Sequence, residues 1–480
     1  MTTTASRSCE KAADTARMGG DLADLTIAQA GTLLAKGDVS PVDLVEASLA
    51  RIEAVDSRLN AFITVDAEGA RSAAKLSEMR RSRGEMRGPF DGIPFALKDN
   101  IETSGVRSTS HSRLLIDNVP AEDAHVSAIL KAAGGILIGK TSTFEFALGG
   151  PSWDLPFPPA LNPWNLRHLP GGSSSGSAAA VAARLVPGAI GTDTGGSVRW
   201  PAAVCGIAGL KPTYGRISRR GVHPNTFSLD HCGPMTRTVE DCAIMLGASA
   251  GYDPRDPGSI DEPVPDYGAS LTGSVKGLRI GLVRHWYQDA ATPEVATAVD
   301  TAVAKLQDLG AEVEEIELAT LVDYIDCKTT ISLCELYSIH EKDLKSRPEH
   351  FGQKLRTRVI AGGLIRAEDY IQALRWRTEL VTSMLSKFKR FDLLATAGWL
   401  NPAEPADPDG VDFFKTRTIV TMPFSLAGIP ALSVPCGFSE SGLPLAFQLA
   451  GRPFDEATVL RAGDAYQRTT DWHLRKPAVL

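Results

Sequence analysis

A chain of 480 residues, 43% hydrophobic and 22% charged, can bury a large core without metal or disulfide staples, which excludes disorder as its default state. Its formal net charge of −7 excludes the concentrated positive field that phosphate binding requires, so no nucleic-acid and no membrane partner is expected. Seven cysteines, scattered from Cys9 to Cys436 without a C-x-x-C pair, read as reduced thiols of a cytoplasmic protein rather than a disulfide framework or metal site.

In chain order, residues 1–21 are polar, carry Glu10 and Asp14, and lack the apolar stretch of a signal peptide, so they are expected to form a flexible leader. Residues 22–480 are expected to form a single domain, beginning with a helical part over 22–88. Leu25–Ala35 has the periodicity of an amphipathic helix. Ser40-Pro41-Val42-Asp43 starts a second one, with a hydroxyl cap, proline at the first turn and an acid behind it. This helix should run to about Val55 with Leu44, Val45, Leu49 and Ile52 on one face.

From Pro89 onward the texture changes to short apolar runs bounded by Gly and Pro: Ile93–Leu97, Gly135–Ile138, Leu278–Val283, Leu393–Ala397, Ala431–Val434 and Leu445–Leu449. Helical stretches alternate with them at His125–Ala133, Val295–Leu309, Ala367–Phe388 and Glu456–Gln467. The alternation predicts an α/β fold with a largely parallel sheet covered by helices on both faces. Ser177–Ile190 is broken by Arg184 and Pro187 and is too short to span a bilayer. The stretch of about 285–400 is a more helical, variable part.

The densest chemical signal is Pro170-Gly171-Gly172-Ser173-Ser174-Ser175-Gly176-Ser177, followed by Gly191-Thr192-Asp193-Thr194-Gly195-Gly196-Ser197-Val198-Arg199. A Gly-Gly-Ser turn can aim consecutive N–H groups at one point, which is how an oxyanion hole is built. Thr194, Gly195, Gly196 and Ser197 supply the candidate donors, and a nucleophile at the end of that turn would be Ser197. A plain glycine-rich loop is the alternative. Serine needs a base, and none of the nine histidines sits in a comparably organised segment. Lys98 closes the strand-like run Gly92–Leu97, where burial would lower its pKa from about 10.4 and free it to take a proton. Asp99 would oppose that shift, but strand alternation sends neighbours to opposite faces; a solvated surface lysine is the alternative for this residue taken alone.

Together these segments resemble the amidase signature hydrolases. The likeness runs from about residue 22 to the C-terminus and rests on three blocks: G-G-S-S-[GS]-G-S, G-[ST]-D-x-G-G-S-[IV]-R-x-P and G-[IV]-P-x-x-[LVI]-K-D. The 24-residue spacing from Ser173 to Ser197 agrees, as do Cys205–Thr213 and Met422–Ala431. The resemblance implies an α/β/α sandwich around a mixed, mostly parallel sheet and one catalytic domain over 22–480. It implies that Ser197 attacks, Ser173 relays the proton through a residue held by a cis peptide bond, and Lys98 is the base of an acyl-enzyme mechanism. Ser174, Asp193 and Arg199 would hold the loop, a structural Asp193–Arg199 ion pair being equally acceptable. No cofactor or metal is implied.

Two rivals remain open. Gly172-Ser173-Ser174-Ser175-Gly176 matches G-x-S-x-G, which would make Ser174 the nucleophile of an esterase. The chain also resembles the A subunit of glutamyl-tRNA amidotransferase, although Ser228-Leu229-Asp230-His231 departs from the S-L-D-Q usual there. A stand-alone amidase is therefore the expectation, acting on a small-molecule substrate and allowing a homodimer. Gly149, Gly150, Trp153, Phe157 and Trp200 would line an apolar pocket suited to aryl or alkyl amides and to carbamates (urethanes).

Overall fold

Eleven strands form one sheet in the computed structural model, which describes residues 21–407 and 419–480. The leader expected over 1–21 thus lies, save Asp21, outside the described residues. In chain order the strands are β1 (Phe62–Val65), β2 (Pro94–Lys98), β3 (Ile136–Thr141), β4 (Gly188–Asp193), β5 (Ala208–Lys211) and β6 (His231–Thr236). They continue with β7 (Arg279–Leu282), β8 (Glu312–Glu315), β9 (Leu393–Ala397), β10 (Ala431–Phe438) and β11 (Pro444–Gly451). Across the sheet the order is β1-β3-β2-β4-β6-β5-β10-β11-β9-β7-β8.

The sheet is mixed, as expected. Its parallel pairs are confined to β3-β2-β4 and β9-β7-β8. The other six pairings are antiparallel, so the expected parallel majority does not hold. β10 and β11 are joined across Ser439–Leu443, a link that only an antiparallel pair tolerates. Both strands are buried along nearly their whole length, so their continuous apolar runs carry no signal of direction.

Side chains alternate between two cores, one on each face. Phe95 and Leu97 of β2 join one cluster while Ala96 joins the other, and Leu137 of β3 opposes Ile136 and Ile138 in the same way. The first core takes in the helices Ile27–Lys36 and Val239–Ser249, and the second takes in Pro41–Leu59 and Ser175–Ala182. Helix Pro41–Leu59 starts where the cap predicts: Ser40 Oγ accepts from the Asp43 N–H at 3.1 Å and the Asp43 carboxylate accepts from the Ser40 N–H at 2.9 Å. It runs one turn past Val55, because Val55 and Leu59 are both buried, and ends at Asn60 in the left-handed region. Helices Leu321–Ser346 and Gln353–Gly362 bring side chains to the site from far along the chain.

Candidate active site

Lys98 is the last residue of β2 and has no exposed surface. Alternation puts it on the same face as Ala96, toward helix Ser175–Ala182. Its Nζ donates to Ser173 Oγ at 2.7 Å and to Thr192 Oγ1 at 2.7 Å. Burial lowers its pKa to about 7, against the opposing pull of Asp193 and Asp230. Asp99 does face the other way: its carboxylate accepts from the Thr109 N–H at 2.9 Å and lies 3.7 Å from Lys140 Nζ. If neutral Lys98 is the base, kcat/KM should rise with pH through an ionisation near 7. A rate that instead falls over the same interval would remove Lys98 from that role.

The two Gly/Ser segments lie side by side, the Ser174 N–H donating to the Ser197 carbonyl at 3.2 Å. The Gly172–Ser173 peptide bond is cis. Ser174 Oγ, wholly buried, donates to the Thr192 carbonyl at 3.1 Å and accepts from the Thr192 N–H at 3.2 Å. It clamps β4, and this removes the esterase reading, which needs that oxygen free. Ser197 is only half-buried and lines a cavity together with Ser173.

Asp193, at the end of β4, builds the turn that carries Ser197. Its carboxylate accepts from the N–H groups of Gly196 (2.8 Å) and Val198 (3.1 Å) and from Arg199 Nε (3.1 Å) and Nη2 (3.0 Å). Burial alone would raise this carboxyl, but the Arg199 charge and hydrogen bonds hold it well below the usual range. Arg199 in turn donates to Gln448 Oε1 at 3.1 Å and Ser425 Oγ at 2.7 Å. One expected oxyanion donor is corrected here: the Gly196 N–H is committed to Asp193, which leaves Thr194, Gly195 and Ser197 as candidates. Gly196 is required for its shape, since at φ 130° a Cβ would lie 2.0 Å from Thr421 Oγ1. His231 stands behind the turn, its Nδ1–H donating to the Asp193 carbonyl at 3.1 Å.

The cavity over Ser197 has a volume of about 230 Å³. Gly149, Gly150 and Trp200 line it, as expected, and Trp200 stacks on Trp399 with ring centres 4.7 Å apart. Trp153 and Phe157 do not belong to the lining: Trp153 is 39% exposed, and Phe157 packs on His111 at 5.6 Å. Sequence reasoning missed Thr192, whose hydroxyl holds Lys98, although it lies inside the Gly191–Arg199 block. It also missed Lys328, Ser332 and Arg358 on the cavity wall, where no local motif marks them. These groups make part of the wall polar and charged, unlike the apolar pocket expected.

Comparison with known proteins follows the same outline. The family model described as Amidase matches residues 43–460. The chain is 44% identical to the A subunit of the Glutamyl-tRNA(Gln) amidotransferase of Roseiflexus sp. (strain RS-1), over 95% of this chain and 98% of that one. Among solved structures it is similar, at 34% identity and a TM-score of 0.87, to one described as a vestigial protein complex revealing the evolutionary origins of an s-triazine catabolic enzyme, covering 93% of this chain and 98% of that one. It is also similar to the A subunit of the Glutamyl-tRNA(Gln) amidotransferase of Thermotoga maritima, at 31% identity and a TM-score of 0.80, covering 96% and 99%. These findings overturn the expectation of a stand-alone amidase for aryl amides or carbamates, because relatives 41–44% identical over nearly their whole length are amidotransferase subunits. They likewise overturn the expectation of a small molecule, or at most a second copy, as the sole partner.

Proposed function

The chain belongs to the Amidase family, and from that premise we propose that it is the amide-cleaving A subunit of an assembly that amidates glutamyl-tRNA(Gln). The near-full-length similarity to proteins of that name carries the reading. The 2.7 Å bond from Lys98 Nζ to Ser173 Oγ, and the cavity that Ser173 and Ser197 line together, support it. Ser197 Oγ attacks the carboxamide carbon of the nitrogen donor, glutamine; its proton passes to Ser173 Oγ, whose own proton passes to Lys98 Nζ. The oxyanion is held by the N–H groups of Thr194, Gly195 and Ser197. Collapse breaks the C–N bond as Lys98 returns its proton through Ser173 to the nitrogen, releasing ammonia and leaving an ester on Ser197. Water then repeats the sequence and frees the acid.

The ammonia is used on the side-chain carboxyl of the glutamyl group, where it displaces an oxygen that a partner protein holding the tRNA has first activated by phosphorylation from a nucleoside triphosphate; the acidic balance of this chain suits it to the donor half alone. No helix among the described residues is long and apolar enough to cross a membrane, and work on a tRNA puts the protein in the cytoplasm. Host extract depleted of the chain should lose the glutamine-dependent conversion of glutamyl-tRNA(Gln) to glutaminyl-tRNA(Gln). Adding back wild type should restore it and Ser197→Ala should not. Conversion at full rate after depletion sinks the proposal.

A further inference from the structure

Helix Leu321–Ser346 brings four polar side chains to the cavity, Asp326, Lys328, Thr329 and Ser332; Asp326 and Thr329 are partly exposed, whereas Lys328 and Ser332 lie one turn apart on the same face. Both are buried, at 5% and 3% exposure. Lys328 stands over the turn that leads to Ser197: a methyl group added at Gly195 would lie 3.3 Å from its Cε and 3.5 Å from its Nζ. Ser332 Oγ has no hydrogen-bond partner among the described residues, and the carboxylates whose charge acts on Lys328, Asp230, Asp193 and Glu335, all hold other donors, Asp193 those of its own turn and Arg199. Asp230 accepts from Thr194 Oγ1 at 2.5 Å and from the Asn225 and Thr226 N–H groups at 2.9 and 3.0 Å. Glu335 accepts from Ser228 Oγ at 2.6 Å and the Ser228 N–H at 3.0 Å. Among the described residues no carboxylate forms a salt bridge with Lys328, and a buried ammonium without a contacting anion is costly, such groups being normally paired.

We propose that Lys328 and Ser332 form an anion subsite that holds a carboxylate carried by the acyl part of the substrate, and so determine which amides enter. The inference rests on the amide-cleaving reading of Ser197 in one respect: with ammonia as leaving group, everything else in the cavity is acyl. Burial lowers the Lys328 pKa to about 8, with Asp230 opposing, so the group still carries its charge in most molecules at neutral pH. Ser332 Oγ–H and Lys328 Nζ can both donate to one carboxylate, whereas a neutral ester offers only a carbonyl oxygen and leaves the ammonium charge uncompensated. The recognised element is the carboxylate itself, so monoamides of dicarboxylic acids without an α-amino group belong to the class.

The test is calorimetric binding in a Ser197→Ala background, which cannot turn substrate over, using succinamate and glutaramate beside their methyl esters. Each variant is read by the ratio of its two Kd values, which does not depend on the fraction of protein that is folded. The acid of at least one pair is expected to bind about 30- to 100-fold more tightly than its ester. Lys328→Met should bring that ratio close to one, Lys328→Arg should recover much of it, and Ser332→Ala should lower it a few-fold. Equal or undetectable binding of acids and esters, or a preference that Lys328→Met leaves intact, overturns the subsite. Failure of the amidotransferase reading looks different: the depleted extract keeps its tRNA conversion while the binding ratios stand.

Discussion

Lys98→Ala is expected to lower kcat for ammonia release by about four orders of magnitude, and Ser197→Ala to do the same or more. The buried Nζ makes 2.7 Å bonds to Ser173 and Thr192, so its removal takes away the acceptor for the proton of Ser173 and leaves Ser197 with no route for its own. The structural cost is smaller. Two hydroxyls lose a donor and a void opens at the end of β2, worth about 2–4 kcal/mol, which a chain of this size should survive. Ser174→Ala serves as the contrast, because among the described residues that oxygen bonds only to the Thr192 backbone; it should cost stability and leave most of the rate. Ammonia release from glutamine and a urea unfolding curve on the same samples separate the two effects. If Lys98→Ala keeps more than a tenth of the wild-type rate at neutral pH, the lysine is not the base.

The residues legible in the sequence were those that lie consecutively in one segment. Gly191–Arg199 holds the nucleophile, its turn and the ion pair that shapes it, and all of these meet in space because they are neighbours along the chain. The pocket was much less legible, because it is assembled across long separations: Lys328 and Ser332 arrive on helix Leu321–Ser346, and Trp399 follows β9. Trp153 and Phe157 show the converse error. They follow Gly149 and Gly150, which do line the cavity, but those glycines turn the chain at φ 99° and 90°, and what comes after leads to the surface. Gly196 was assigned as a donor from its place in the motif, while its N–H is turned inward by the carboxylate of Asp193. Strand direction was illegible for a different reason: a strand buried on both faces reads alike in either direction. Assembly lay beyond composition, since a net charge averaged over the chain describes the chain and not its partners.

Asp193→Asn is expected to destabilise the protein by about 3–5 kcal/mol, the largest loss of any single polar change at the site. The carboxylate has no exposed surface and balances a guanidinium that has none either. An amide of the same shape leaves Arg199 with a buried, uncompensated charge, for which the oxygens of Gln448 and Ser425 are insufficient. The amide also turns donors toward N–H groups that now donate to the carboxylate. Because the Asp193 pKa is depressed in the folded state, its contribution is complete above the ordinary carboxylate pKa and is lost only as pH falls through the folded value. The gap between wild type and variant in urea should therefore be constant between about pH 5 and 8. Removing the guanidinium as well, in Asp193→Asn with Arg199→Met, should recover part of the loss. The activity that survives in the single variant carries a second signature. Asp193 raises the Lys98 pKa through its charge, so without it the rise of kcat/KM with pH should move to lower pH, whereas a merely unfolded fraction would lower the rate equally at every pH. A variant as stable as wild type would show that the ion pair does not support the turn, and an unmoved pH profile that it does not set the base.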